Sequence, residues 1–282
     1  MIIVDYSAVS IAALYANGIN EVGEIDEGMV RHIILNTLRS YNMKFKDKYG
    51  NMILAMDAGN VWRKDSFPQY KANRKKSRGE SKLDWNMIFD SLNAVSREIR
   101  THVPWKSLKL DRCEADDIIA VLCQENQEFG KKEPILIISG DKDFKQLQKF
   151  SNVRQWAPRE KKYLVEKDPA KYLRDHIISG DAGDGVPNIL SADNVLVDGI
   201  RQTVLSAKRK AKLEQGIFDT EDIKKQLARN TLMVDLEMIP QDIKDAIIEL
   251  DATFPIPNGG TLLNYFIESK SSTLIPRLTE FY

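Results

Sequence analysis

Two aspartates one residue apart, Asp141 and Asp143, follow an apolar run of four residues through a Ser-Gly turn. Other acids come in similarly tight groups: Asp5 after MIIV, Asp57 after MILAM, Glu114, Asp116 and Asp117 in CEADD, and Asp181 and Asp184 in GDAGD. Each group alone has a plain structural explanation. Acids favour the first turn of a helix, Asp111 with Glu114 fits a capping box, and one aspartate of GDKD suits an N-cap before a short helix over 144–148. Taken as a set, Asp5, Asp57, Glu114, Asp116, Asp141, Asp143, Asp181 and Asp184 would carry up to eight negative charges if they meet. Such a group must take up protons through raised pKa values or bind cations. Oxygen-only donors select hard ions, so Mg²⁺ is the expected metal, with Mn²⁺ as its substitute, and zinc is not expected. His32, His102 and His176 stand far apart in helical patterns and read as packing or surface residues. Carboxylates around two ions roughly 3.5 to 4 Å apart suit phosphodiester cleavage without a nucleophilic side chain. The sequence offers no such nucleophile motif, no Walker lysine and no paired-cysteine signature.

The elements that must position these acids are legible in outline. MIIV (1–4), MILAM (52–56) and ILII (135–138) are continuous apolar runs, the pattern of parallel strands buried on both faces. All three end in aspartate, and an open parallel sheet binds ligands outside the carboxyl ends of its strands. Helical stripes run over 26–48 (Val30, Ile33, Ile34, Thr37, Leu38, Tyr41, Phe45) and 84–100 (Ile88, Phe89, Leu92, Val95, Ile99), with a third helix over 113–129. This order predicts an α/β fold with a mainly parallel central sheet flanked by helices. A hairpin is expected over 153–165, and helices after 168. The division expected is residues 1–180 as one domain and 181–282 as a smaller helical domain.

The chain of 282 residues is 43% hydrophobic, and its 41 basic and 41 acidic residues cancel, but the charges are segregated. Between Arg63 and Lys82 stand eight Lys or Arg against Asp65 and Glu80, interleaved with Phe67 and Tyr70 and preceded by Trp62. This offers phosphate neutralisation and planar faces for bases; the alternative is a solvated basic loop. A second basic run spans 207–212. Cys113 and Cys123 match no metal spacing and suit a reduced, cytoplasmic setting. Asp5 interrupts the first apolar run before it reaches the length of a signal or membrane segment, so secretion and a membrane role are not expected.

VDYS, MDAGNVWRKDSFPQYKANRK, CEADDIIA, ISGDKDFKQL and SGDAGDGVP, in this order over two-thirds of the chain, resemble the structure-specific 5′-nucleases, a family with a PIN-like fold, and within it the ribonucleases H of T-even bacteriophages. The resemblance implies a first metal cluster of Asp5, Asp57, Glu114 and Asp116 and a second of Asp141, Asp143, Asp181 and Asp184, with Asp116 serving both and Asp117 in support. It implies that Lys71 and Arg74 are catalytic cations at the scissile phosphate, on a helical arch over about 62–84 that admits a single-stranded 5′ end. Arg63, Tyr70, Lys75 and Lys76, and Lys208 and Lys210 in the later basic run, are the expected nucleic-acid contacts. One departure stands out: after Asp184 the chain reads NILSADNVLVDG where most relatives carry a Gly-x-Gly-x-Lys hairpin that grips duplex DNA.

The activity implied is Mg²⁺-dependent 5′ to 3′ exonuclease and flap cutting, with RNase H activity that removes RNA primers from lagging-strand fragments. Its substrates would be DNA and RNA:DNA duplexes with 5′ ends or flaps, its recruiting partners a single-strand-binding protein and a sliding clamp, and its state a monomer, in the host cytoplasm if phage-encoded. Two alternatives compete: a non-catalytic DNA-binding replication module, and a PIN-type ribonuclease. The complete acid set speaks against the first and the basic stretch against the second.

Overall fold

The computed structural model describes residues 1–19, 26–74, 79 and 83–282. Its centre is a six-stranded sheet in the order β3-β2-β1-β4-β5-β6. The strands are β1 (Ile2–Asp5), β2 (Met52–Met56), β3 (Lys106–Lys109), β4 (Ile135–Ile138), β5 (Val153–Ala157) and β6 (Lys162–Leu164). The first five run parallel, and β6 returns antiparallel on β5 as the expected hairpin. Because side chains alternate across a strand, the continuous apolar runs feed two cores. Ile2, Val4, Met52, Leu54, Leu136 and Ile138 pack on one face, and Ile3, Ile53, Ala55, Ile135 and Ile137 on the other.

The first face is covered by α1 (Tyr6–Ala16), α2 (Glu27–Tyr49) and α4 (Trp85–His102); α5 (Ala115–Glu125) covers the second. A single turn, α3 (Arg63–Ser66), follows β2. Later helices are α6 (Pro169–Ser179), α7 (Ala207–Glu214), α8 (Glu221–Val234), α9 (Gln241–Thr253) and α10 (Leu262–Glu268). The C-terminal helices share the cores of the sheet: Ile243, Ile247 and Phe254 join one face, and Leu262, Phe266 and Phe281 the other. A smaller cluster of Ile178, Ile189, Leu213 and Ile223 lies among α6, α7 and α8.

Several local readings change. Strand β3 and helix α1 were not expected. β3 is a four-residue edge strand with lysines at both ends, so it has no continuous apolar run to reveal it; Lys106 bonds the Asp251 carboxylate at 2.7 Å. The expected third helix ends at Glu125, with only a 3₁₀ turn over Glu128–Gly130 beyond it. Its capping box is formed by Glu114 and Asp117, not Asp111 and Glu114.

The chain passes from β1 through β2 to β3 on one side, then crosses back to place β4 on the other side of β1. The gap between the carboxyl ends of β1 and β4 is therefore the topological switch point, where open α/β sheets hold ligands.

Candidate active site

At the switch point the acids are fixed by backbone they themselves cap. Asp5 ends β1 and accepts a bond from the Ala8 N–H at 3.0 Å as N-cap of α1. Its other oxygen accepts the Ser139 hydroxyl at 3.0 Å, and the same hydroxyl accepts the Asp141 N–H at 3.1 Å. Asp141 in turn caps the 3₁₀ helix Lys142–Lys149 through the Asp143 N–H. Asp57 accepts the Ala115 N–H, at the start of α5, at 3.0 Å. Capping and clustering thus use the same carboxylates.

Asp5, Asp57, Glu114, Asp116 and Asp141 line one cleft of about 1100 Å³, together with Lys64, Lys71, Arg74 and Lys109. The charges crowd. Burial, then the facing Asp57, push the Asp5 carboxyl up to about 7. Burial and Asp141 raise Asp116 well above the carboxylate range, and the same two causes lift Asp143 to about 7. Asp116 thus feels both Asp5, at the end of β1, and Asp141, in the turn after β4.

Glu114 and Asp184 are set differently, because cations already hold them. Glu114 accepts from Arg63 at 2.9 Å, from the Tyr70 hydroxyl at 3.0 Å and from Lys71 at 2.5 Å. Asp184 accepts from Tyr70 at 3.1 Å, lies 3.5 Å from the Lys71 ammonium and pairs with Arg74. Burial opposes the charge on Lys71, but Glu114 and Asp184 outweigh it and raise its pKa. The Lys71 backbone is in the left-handed region (φ 57°), and its N–H donates to the Asp184 carbonyl at 2.7 Å. Gly185 (φ 75°) permits this approach, since a Cβ there would stand 2.8 Å from the Gln69 carbonyl oxygen.

The remaining residues divide. Asp143, Asp181 and the imidazole of His176 form a compact group. His176 was expected to be a packing or surface residue; instead its two ring nitrogens lie 3.4 Å from Asp143 and 3.5 Å from Asp181. The sequence signal that could have found it is its place five residues before the first aspartate of GDAGD. Burial resists ionisation of Asp181, yet His176 and Lys142 outweigh it and hold its carboxyl below the usual range. Asp117 is fully buried; it accepts from the Trp62 indole N–H at 3.2 Å and pairs with Arg63 at 2.9 Å.

Arg63 and Tyr70, expected to contact nucleic acid, are buried, at 2% and 3% exposure, in this structure. Their polar ends face Glu114, and their rings and stems pack against Trp62 and each other. They brace the site from below and offer no face to a polyanion. Val61, Phe67 and Tyr70 join a small core with Ile177, Val186 and Met233, so the start of the expected arch is packed on the body. Lys75 and Lys76 lie outside the described residues. Lys208 is exposed on α7; Lys210, partly exposed, sits 3.5 Å from Asp175. Beyond Asp184, residues 186–206 form no helix. They fold into a loop closed by Asn188 on Gln202 and Thr203 and gripped by the Arg229 guanidinium, which donates to Pro187 and Asp193. Sequence reasoning also missed Ser139 and Gln155; the latter donates to the carbonyls of Ser139 and Asp141 and sets the GDKD turn.

A resolvase-like sheet with acids gathered at its switch point defines a class of nuclease, and residues 1–174 match the family model of the 5′-3′ exonuclease, N-terminal resolvase-like domain. The chain belongs to the 5′-3′ exonuclease family, the flap-endonuclease-type 5′-nucleases, and is a hydrolase of that class. It is 30% identical to ribonuclease H of enterobacteria phage T4 over 99% of this chain and 95% of that protein. It is 24% identical to DNA polymerase I of Lactococcus lactis subsp. lactis over 82% of this chain, which spans 25% of the polymerase. Among solved structures, T5 5′-exonuclease with divalent metal ions (zinc) bound has a TM-score of 0.65 at 16% identity, covering 90% of this chain and 98% of that one. A bacteriophage T5 flap endonuclease in complex with DNA and metal ions scores 0.63 at 17% identity, covering 88% and 96%. These structures share the fold.

Proposed function

We propose that the protein is a Mg²⁺-dependent 5′ to 3′ exonuclease and flap endonuclease with RNase H activity, which hydrolyses phosphodiester bonds and removes RNA primers from lagging-strand fragments. The observation that carries this reading is the convergence of Asp5, Asp57, Asp116 and Asp141, from distant parts of the chain, on one cation-lined cleft. The carboxyls fit divalent metal: burial and then a neighbouring carboxylate hold the protons of Asp5 and Asp143 up to about pH 7, and a divalent cation would relieve both effects. Two ions in this site would activate the attacking water and stabilise the leaving oxygen.

Asp5, Asp57, Asp116 and Asp141 are suited to hold one ion, and Asp143 and Asp181 the other, while Asp184, expected beside them, is paired with Arg74, Lys71 and Tyr70. Glu114, read from the resemblance as a ligand, has both oxygens engaged by Arg63, Tyr70 and Lys71; its proposed role here is to aim the Lys71 ammonium into the cleft. Lys71 and Arg74 neutralise the charge that grows on the phosphoryl oxygens as the bond breaks. Lys64 and Lys109, also on the cleft wall, attract the flanking phosphates, as do the exposed Lys208 and Arg209 of α7. DNA and RNA:DNA ends or flaps are the proposed substrates. The deciding experiment uses an end-labelled 5′-flap duplex. Asp141→Asn with Asp143→Asn is expected to abolish Mg²⁺-dependent cutting while duplex binding stays within a few-fold, and cutting at the wild-type rate would remove the assignment.

A further inference from the structure

His176 has no role in the set of acids just described, yet it is placed as few histidines are. It sits in the last turn of α6, at 7% exposure, with Tyr172 one turn earlier packing 5.7 Å from its ring. Among the described residues neither of its ring nitrogens makes a hydrogen bond of good geometry, and nor does the Asp143 Oδ1 that faces Nδ1. Leaving such groups buried and unmatched is unfavourable. Nδ1 lies 3.4 Å from Asp143 and Nε2 3.5 Å from Asp181, too long for good hydrogen bonds, and one donor atom from each of the three residues falls within 4.8 Å of the others, so that a small shift of the ring would let one nitrogen join both carboxylates on an ion. Lys142, 3.1 Å from Asp181 and half exposed, is the cation that would swing away to make room.

We infer that His176 completes a mixed nitrogen–oxygen cation site with Asp143 and Asp181, so that the second carboxylate group prefers a borderline divalent ion, Mn²⁺ or Co²⁺, to Mg²⁺. The chemistry follows from the donors. Carboxylates alone serve Mg²⁺, which holds its water tightly, whereas an imidazole nitrogen gains more from the later first-row ions. The inference rests on the reading of this group as a cation site.

The test is made on the full chain, with Mn²⁺ and Mg²⁺ as probes and no substrate. Pulsed electron paramagnetic resonance of bound Mn²⁺ is expected to show coupling to a histidine nitrogen in the wild type and to lose it in His176→Gln. Calorimetry is expected to find Mn²⁺ affinity at this site falling at least tenfold in His176→Gln while Mg²⁺ affinity moves less than threefold; His176→Asp, which supplies an oxygen instead, should bind both ions without the nitrogen signal. Absence of nitrogen coupling in the wild type, which needs no variant to fold, overturns the proposal. So does an equal loss for both ions, which would make His176 a support that only positions the two carboxylates, or an equal gain, which would make it an imidazolium that competes with the ion for them. Because binding is read without turnover, a protein that cuts flaps yet shows no nitrogen coupling sinks only this inference. One that shows the coupling and cuts nothing sinks only the proposed activity.

Discussion

Asp5 and Asp143 are held in surroundings that favour their neutral forms, and this has a cost that varies with pH. Each keeps its proton up to about pH 7 in the folded protein, mainly through burial, while an unfolded chain releases it near pH 4. Between those values the unfolded state alone loses the proton and is favoured. The metal-free protein should therefore lose stability as pH rises from about 4 to about 7, by a few kcal/mol in all, and then level off. Divalent metal should abolish this slope, since it takes the place of the protons. Thermal melts in chelator and in Mg²⁺ across this range measure both, and a metal-free melting point that is flat or rises from pH 4 to 7 would contradict the arrangement. The acids were legible as residues because several motifs carried them in pairs. Their differences in role were not: Glu114, bound by three donors, and Asp141, which turns the chain toward Asp143, look alike in sequence.

Among the elements, the proposed role of Lys71 depends on the approach of the GDAGDG turn to the segment that carries it. Gly185 stands at φ 75° against the Gln69 carbonyl, and Lys71 is in turn bonded through its N–H to Asp184. Gly185→Ala must move one segment off the other. The expected loss is about 1–3 kcal/mol of stability together with at least a tenfold fall in kcat, with KM for a flap substrate changing less; an unaltered kcat would show that this contact does not aim Lys71. The strands and long helices were readable because continuous apolar runs and a 3.6-residue stripe leave a pattern in one dimension. Edge strand β3 leaves none, since only Ser107 and Leu108 of its four residues are buried. Arg63 was misread for a related reason: density of charge does not reveal that it lies under the site, facing Glu114 and Asp117.

Across the whole molecule, zero net charge conceals a division between an acid-filled switch point and cations on the walls and on α7. If four to six phosphates are neutralised, log affinity for a flap duplex should fall with log salt at a slope of about −3 to −5. Lys71→Ala with Arg74→Ala should slow cleavage by about a hundredfold or more and leave that slope within about one unit, because in the free protein both cations are already paired with Glu114 and Asp184. A variant that weakens binding and spares the rate would demote them to positioning contacts. The sequence by itself determined the α/β class, the parallel strands ending in aspartate and the identity of the acids, since those depend on local periodicity and residue type. Only the tertiary structure decided which cations stand beside which acids, that Arg63 and Tyr70 are buried, and that His176 joins Asp143 and Asp181. Apart from the short step from His176 to Asp181, those relations depend on segments more than thirty residues apart coming to within a few ångströms, and such distances are set by packing the two faces of the sheet, which no single stretch of sequence encodes.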